Sequence, residues 1–339
     1  VAQSATAAAH ADEQAEPDLQ RIEDGLFFIV GAPRSGTTLV QAMLLAHPRM
    51  TVPPETEFFL KHDPPAAPDR WGRYLDGLLA SQRWADQQLD AAEFRKRVES
   101  TDRTARSVFL TLLAMHARRC GKPRVGEKSP QHLRHALRIH EIFPSARFVH
   151  VYRDPRDVVA SQLRMPWGRG SHLGRARSWN KLMRVADRVE AALPAEVYTA
   201  VRYESLIDRP EAEARRLCAF LGEPFCDSML AFEHRREPGF AEREAPWKGR
   251  TLSPLSAATV GSFARQLTPR QIAGIERTVG SRLTRLGYRP HQPAGRYRLH
   301  WRLRDGVDRL LDIARRQRRS IAKRLRGPGA GRSQRHGPG

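Results

Sequence analysis

Gly31-Ala32-Pro33-Arg34-Ser35-Gly36-Thr37-Thr38 is the stretch whose reading decides the fold. Before it stands Leu26-Phe27-Phe28-Ile29-Val30, an unbroken apolar run of the kind that forms a strand buried on both faces. After it come Leu39, Met43, Leu44 and Leu45 at helical spacing. The unit therefore reads strand, glycine loop, helix. Backbone N–H groups at a helix N-terminus lack intrahelical partners and favour an anion. Gly31 and Gly36 let the loop wrap closely around a phosphate. Ser35, Thr37 and Thr38 add hydroxyl donors, and Arg34 adds a fixed positive charge. The G-x-x-x-x-G spacing is that of nucleoside triphosphatases, but Thr37 stands where their Lys would follow. No short apolar strand ends in the Asp that would hold a metal for them. The loop is expected to hold a phosphate group without cleaving a β–γ bond.

Working outward, further strands are expected over 124–128, 147–152 and 197–203. The 60–120 region reads as mainly helical. Helices are also expected from Pro130 to about Phe143, from Pro155 with Asp154 as cap, over 211–221, and from Thr268-Pro269 to about Leu286. The stretch 162–180 reads as a loop. Strands alternating with helices predict an α/β protein with a P-loop-like three-layer α/β/α fold and a mainly parallel central sheet. The expected organisation is a disordered leader over 1–24, one domain over 25–295, and a basic tail over 296–339 that is partly helical, then disordered. The leader lacks the basic start and apolar stretch of a secretory signal.

A second cluster is Val151-Tyr152-Arg153-Asp154-Pro155-Arg156-Asp157-Val158-Val159-Ala160-Ser161. Arg153 falls at the carboxyl end of an expected strand, and Ser161 about two turns into the next helix. Ligands of open α/β sheets bind outside the carboxyl ends of the strands. An Arg and a hydroxyl there suit a second phosphate group. The local alternative is an Arg153–Asp157 pair with Ser161 as a helix filler.

The chain has 339 residues and a formal net charge of +21. From Arg296 onward there are 14 basic residues against three acidic ones, so about half of the excess sits in the tail. That placement, together with an aromatic content of 7%, argues against a nucleic-acid-binding protein. The tail could lie on an anionic surface, hold a polyanionic acceptor, or pack as a solvated helix. Cys120, Cys218 and Cys226 are scattered and form no C-x-x-C pair, which speaks against a disulfide scaffold and for a cytoplasmic protein. No histidine pair has metal-ligand context, so no metal is expected.

GAPRSGTTLVQAMLLAHPRM taken with FVHVYRDPRDVVAS resembles the sulfotransferases that use 3′-phosphoadenosine 5′-phosphosulfate (PAPS). The order of the two motifs and their separation of about 120 residues fit that family, as does VRYESLIDRPEAEARRLCAFLGEPF. The similarity runs from about Leu26 to Pro290. Arg-Ser-Gly-Thr-Thr is in the style of the bacterial and tyrosylprotein branch. The resemblance implies that Arg34, Ser35, Gly36, Thr37 and Thr38 cradle the 5′-phosphosulfate. It implies that Arg153 and Ser161 bind the 3′-phosphate and that Tyr203 reaches the nucleotide. Glu55 aligns with the branch's catalytic base, although Pro53-Pro54 replaces a Gly-Glu pair before it. Lys128 aligns with a catalytic lysine, without the acidic residue that follows in the branch. Glu57 and His132 are the other candidates for the base. Trp247-Lys248-Gly249-Arg250 resembles a late basic element that covers the 3′-phosphate in cytosolic relatives.

The function so implied is sulfuryl transfer from PAPS to a hydroxyl acceptor, with no metal. The acceptor could be a small molecule, a carbohydrate or a lipid-like alcohol, with peptide tyrosine less favoured. The rivals are a P-loop nucleotide kinase or triphosphatase, and the nucleic-acid binder.

Overall fold

The computed structural model describes residues 19–166, 170–235 and 237–291, together with single residues between 306 and 317. The described chain divides into two compact units. The first runs to Asp154 and resumes over Lys181–Val260; the second comprises Pro155–Asn180 and the chain from Gly261.

The first unit is built on five strands: β1 Phe27–Gly31, β2 Met50–Thr51, β3 Arg124–Glu127, β4 Arg147–Tyr152 and β5 Tyr198–Arg202. Their order is β2-β3-β1-β4-β5 and every pairing is parallel. β1 lies at the centre, with Phe27 opposite Gly126 on one side and Arg147 on the other. All five of its residues are buried, which is what its apolar run demands. Alternation along the strand supplies two cores at once. Phe27 and Ile29 join Met43, Leu44, Val149, Val151, Val201 and Leu217 on one face. Phe28 stacks on Phe148 at 5.3 Å and on Phe109 at 5.8 Å on the other. Phe109 belongs to helix Ala105–Cys120, and Met43 and Leu44 to helix Thr37–Ala46. Gly126 has no room for a side chain, because a Cβ there would lie 2.2 Å from the Phe27 ring.

The second unit is helical. Its anchor is Asp157, on helix Pro155–Leu163, which accepts hydrogen bonds from Gly261 N at 2.9 Å, Ser262 Oγ at 3.0 Å and Phe263 N at 2.8 Å. Arg156 pairs with Glu276 at 2.5 Å and lies over the Phe263 ring.

Four local expectations are corrected. Leu19–Asp24, assigned to the disordered leader, is a helix; Ile22 and Glu23 are buried, and Glu23 pairs with Arg106 at 2.5 Å. Residues 1–18 lie outside the described residues. The loop expected over 162–180 ends early, because helix His172–Ala192 begins within it. The helix opened by the Thr268–Gln271 capping box stops at Val279, where Gly280 takes φ 64°, and a short turn Arg282–Arg285 follows. Pro130 starts six residues of 3-10 helix before helix Ala136–Ile142. The tail over 296–339 lies almost entirely outside the described residues.

Candidate active site

The loop between β1 and helix Thr37–Ala46 has the form of an anion cradle. Leu39 and Val40 make the first backbone bonds back to Gly36 O, so the N–H groups of Gly36, Thr37 and Thr38 precede the helical ladder. Gly36 sits at φ 102°, and Arg34 takes a positive φ of 77°. The second value is uncommon for a side-chain-bearing residue and marks a backbone held by its surroundings. Ser35 is fully buried, yet its Oγ has no hydrogen-bond partner among the described residues. A buried hydroxyl without a partner costs roughly 1–3 kcal/mol, and a bound anion would satisfy it. Thr37 is buried beside it.

Tyr203 opens helix Tyr203–Asp208 directly after β5, and its ring closes one side of the loop. A Cβ on Gly36 would lie 2.3 Å from Tyr203 Cδ2. Arg153 follows β4 and is nearly buried; its guanidinium lies 4.3 Å from the centre of the Tyr203 ring. Thr259 holds both residues. Its carbonyl accepts from Arg153 Nη2 at 2.5 Å, and its hydroxyl bonds the Tyr203 hydroxyl at 2.8 Å. Arg153 and Tyr203 thus meet at the carboxyl ends of β4 and β5, with Tyr203 against the phosphate loop. Ser161 is buried on helix Pro155–Leu163 and belongs to the second unit.

Glu55 and Lys128 come together across 73 residues. Lys128 Nζ donates to Glu55 Oε1 at 2.6 Å, and Lys248 Nζ donates to the same oxygen at 2.8 Å. Arg83 Nη2 stands 3.8 Å from Oε2. Burial opposes ionisation of Glu55, but the two ammonium groups outweigh it and hold the carboxyl well below the usual carboxylate range. Burial pushes Lys128 down to about 8, with Glu55 working in the other direction. Lys248 also bonds Glu244 at 2.7 Å; burial works against its charge, but Glu55 and Glu244 prevail and raise it.

The backbone that carries Glu55 is fastened from beneath. Glu127, the last residue of β3, accepts from Thr56 N at 3.2 Å, Thr56 Oγ1 at 2.9 Å, Ser129 Oγ at 2.6 Å and His132 Nδ1 at 2.7 Å. Ser129 Oγ accepts from Glu57 N at 2.9 Å. Glu127 therefore sets both the segment before helix Phe58–Lys61 and the segment that carries Lys128. It is fully buried; burial works against its charge, but His132 and the hydroxyl donors keep its carboxyl below the ordinary value. His132 is enclosed between Glu127, Phe28 and Phe59, so it serves this network rather than an acceptor. Glu57 is taken by Arg83 at 2.6 Å.

One further contact joins the two halves of this site. Arg34 Nη2 donates to the Trp247 carbonyl at 3.0 Å, and the next residue is Lys248. Glu127, Arg83 and this role of Lys248 were not read from the sequence. Glu127 stands directly before Lys128, and its position at a strand end was the available signal. Arg83 sits in a helical region with no diagnostic pattern.

The profile of the Sulfotransferase family matches residues 27–227, more than half of the chain. The chain belongs to the sulfotransferase family. Among its relatives, this sulfotransferase is 26% identical over 277 residues to protein-tyrosine sulfotransferase A of Caenorhabditis elegans, covering 78% of this chain and 67% of that one. It is 28% identical over 284 residues to protein-tyrosine sulfotransferase 1 of Danio rerio, covering 78% and 73%. Its fold is that of the sulfotransferase domain from the Synechococcus PCC 7002 olefin synthase, with a TM-score of 0.56 at 21% identity, over 75% of this chain and 94% of that one.

Proposed function

We propose that this sulfotransferase moves a sulfuryl group from PAPS to a hydroxyl acceptor, releasing adenosine 3′,5′-bisphosphate. The observation that carries the reading is the phosphate loop, whose buried Ser35 hydroxyl has no partner among the described residues, tied through Arg34 and Trp247–Lys248 to an ionised, lysine-held Glu55. The donor, when bound, supplies an activated sulfuryl group on a phosphate leaving group. The loop N–H groups and Ser35 would hold its 5′ end, and Arg153 with Tyr203 would hold its nucleoside side. Arg34 and Lys128 would face the negative charge that grows on the leaving oxygen, where fixed positive groups act most strongly. Glu55 would take the proton of the acceptor hydroxyl as its oxygen bonds sulfur. A carboxylate held below the usual range is a weak base. Drawing Lys128 toward another anion would raise the basicity of Glu55 as the donor site fills.

Titration calorimetry with adenosine 3′,5′-bisphosphate, alongside ATP with Mg²⁺, tests the donor assignment. Tight binding of the bisphosphate, weakened by Arg153→Ala and absent for ATP, is expected. Binding of ATP alone would overturn the reading in favour of a nucleotide kinase. The acceptor is then sought with a panel of phenols, sugars, aliphatic alcohols and a tyrosine peptide. The peptide is included because named relatives are protein-tyrosine sulfotransferases.

A further inference from the structure

We infer that Lys248 is a positioning residue for Glu55, fixing which carboxylate oxygen is left to accept a proton. The inference rests on the sulfuryl-transfer reading above and moves Lys248 from the expected 3′-phosphate contact to the acceptor side.

Both lysines bond the same oxygen, Glu55 Oε1, at 2.6 and 2.8 Å, and they come from different elements. Lys128 follows β3, whereas Lys248 ends the short helix Ala245–Lys248. Two donors on Oε1 lock the plane of the carboxylate. Oε2 makes no hydrogen bond among the described residues and has only Arg83 nearby, at 3.8 Å. Oε2 is therefore the oxygen presented for proton transfer. The charged groups around this carboxylate are Lys128, Lys248 and Arg83, with Glu244 behind Lys248 and Arg83, and Glu57 beside Arg83.

A structural role alone would not require this arrangement. Lys248 already has an i,i+4 partner in Glu244, with both side chains nearly buried. Its reach to Glu55 adds a second bond across 193 residues. Ordering a long lysine side chain costs conformational entropy, which a bond to Glu55 must offset. The neighbouring peptide gives the link its direction, since the Trp247 carbonyl accepts from Arg34 while Lys248 holds Glu55. Consecutive residues thus connect the cation of the donor loop to the carboxylate on the acceptor side.

The test uses the full chain as wild type, Lys248→Met and Lys248→Arg. Three quantities are read: bisphosphate affinity, the pH profile of bisphosphate release from PAPS (which registers transfer to any acceptor, water included), and the pH dependence of unfolding with and without Glu55→Gln. Lys248→Met is expected to bind the bisphosphate as wild type does and to lose turnover roughly tenfold. Its acidic limb should move up by about one unit or more, because Glu55 has lost one of its two ammonium partners. The unfolding data should show Glu55 taking up its proton at correspondingly higher pH. Lys248→Arg should restore the limb. An acidic limb and a Glu55 titration unmoved by Lys248→Met would overturn the role while leaving the donor reading intact. Wild-type protein that binds no bisphosphate would overturn the donor reading and this role with it.

Discussion

Glu55, Lys128, Lys248 and Arg34 gain their properties from one another rather than from their own chemistry. Arg34 is the cation expected to meet charge only as it develops. Arg34→Ala should lower kcat by about 10²–10³ while bisphosphate affinity changes far less, read by single-turnover assay against calorimetry. Glu127 acts at the same scale through bonds to Thr56, Ser129 and His132. Its carboxyl is held below the ordinary value of 4.5 in the folded chain. The unfolded state therefore binds its proton more readily, and the stability Glu127 contributes is full above that value and lost as the pH falls through the folded one. Glu127→Gln should cost about 1–3 kcal/mol at pH 7, because the buried donors of Thr56, Ser129 and His132 lose their charged acceptor. The gap to wild type should narrow on acidification, followed by urea unfolding at stepped pH. A gap that widened would mean that Glu127 is held protonated.

The strand–loop–helix element was legible because each of its parts speaks locally. An apolar run, two glycines and a helical stripe specify β1, the loop and helix Thr37–Ala46 without help from distant residues. Arg34, Ser35, Thr37 and Arg153 could be located from the same kind of signal, whereas Tyr203 was implied only by the family resemblance. What the sequence hid depends on contacts between distant segments. Glu127 looks like the end of a short strand, and only the fold reveals that Thr56 lies on it. Lys248 reads as part of a basic element for the 3′-phosphate until Glu55 is placed beside it. Helix His172–Ala192 was missed because its polar opening looks like a loop, and β2 because two residues carry no period. The glycine loop makes its own prediction. Gly36→Ala adds a Cβ at φ 102° that would lie 2.3 Å from the Tyr203 ring. Bisphosphate binding should be lost in calorimetry while the circular dichroism of the folded chain is kept. Binding at wild-type affinity would mean that Tyr203 yields freely and does not shape the cradle.

Across the whole molecule, the central sheet is assembled from strands far apart in sequence. β1 lies between β3 and β4, so Phe27 finds its partners about 100 residues later, at Gly126, and about 120 residues later, at Arg147. Parallel pairing over such distances must close large loops before any contact rewards them. Refolding from urea should therefore be slow, on the order of milliseconds to seconds or longer, and stopped-flow fluorescence of the six tryptophans can follow it. A single microsecond phase would contradict that topology. The same connectivity has a consequence during synthesis. The ribosome makes the central strand well before its two neighbours, β3 and β4, so Phe27-Phe28-Ile29-Val30 emerges with both edges bare. Until β4 leaves the exit tunnel, the nascent chain carries a sticky, unpaired strand, which makes its early life a matter of chaperone protection and translation speed.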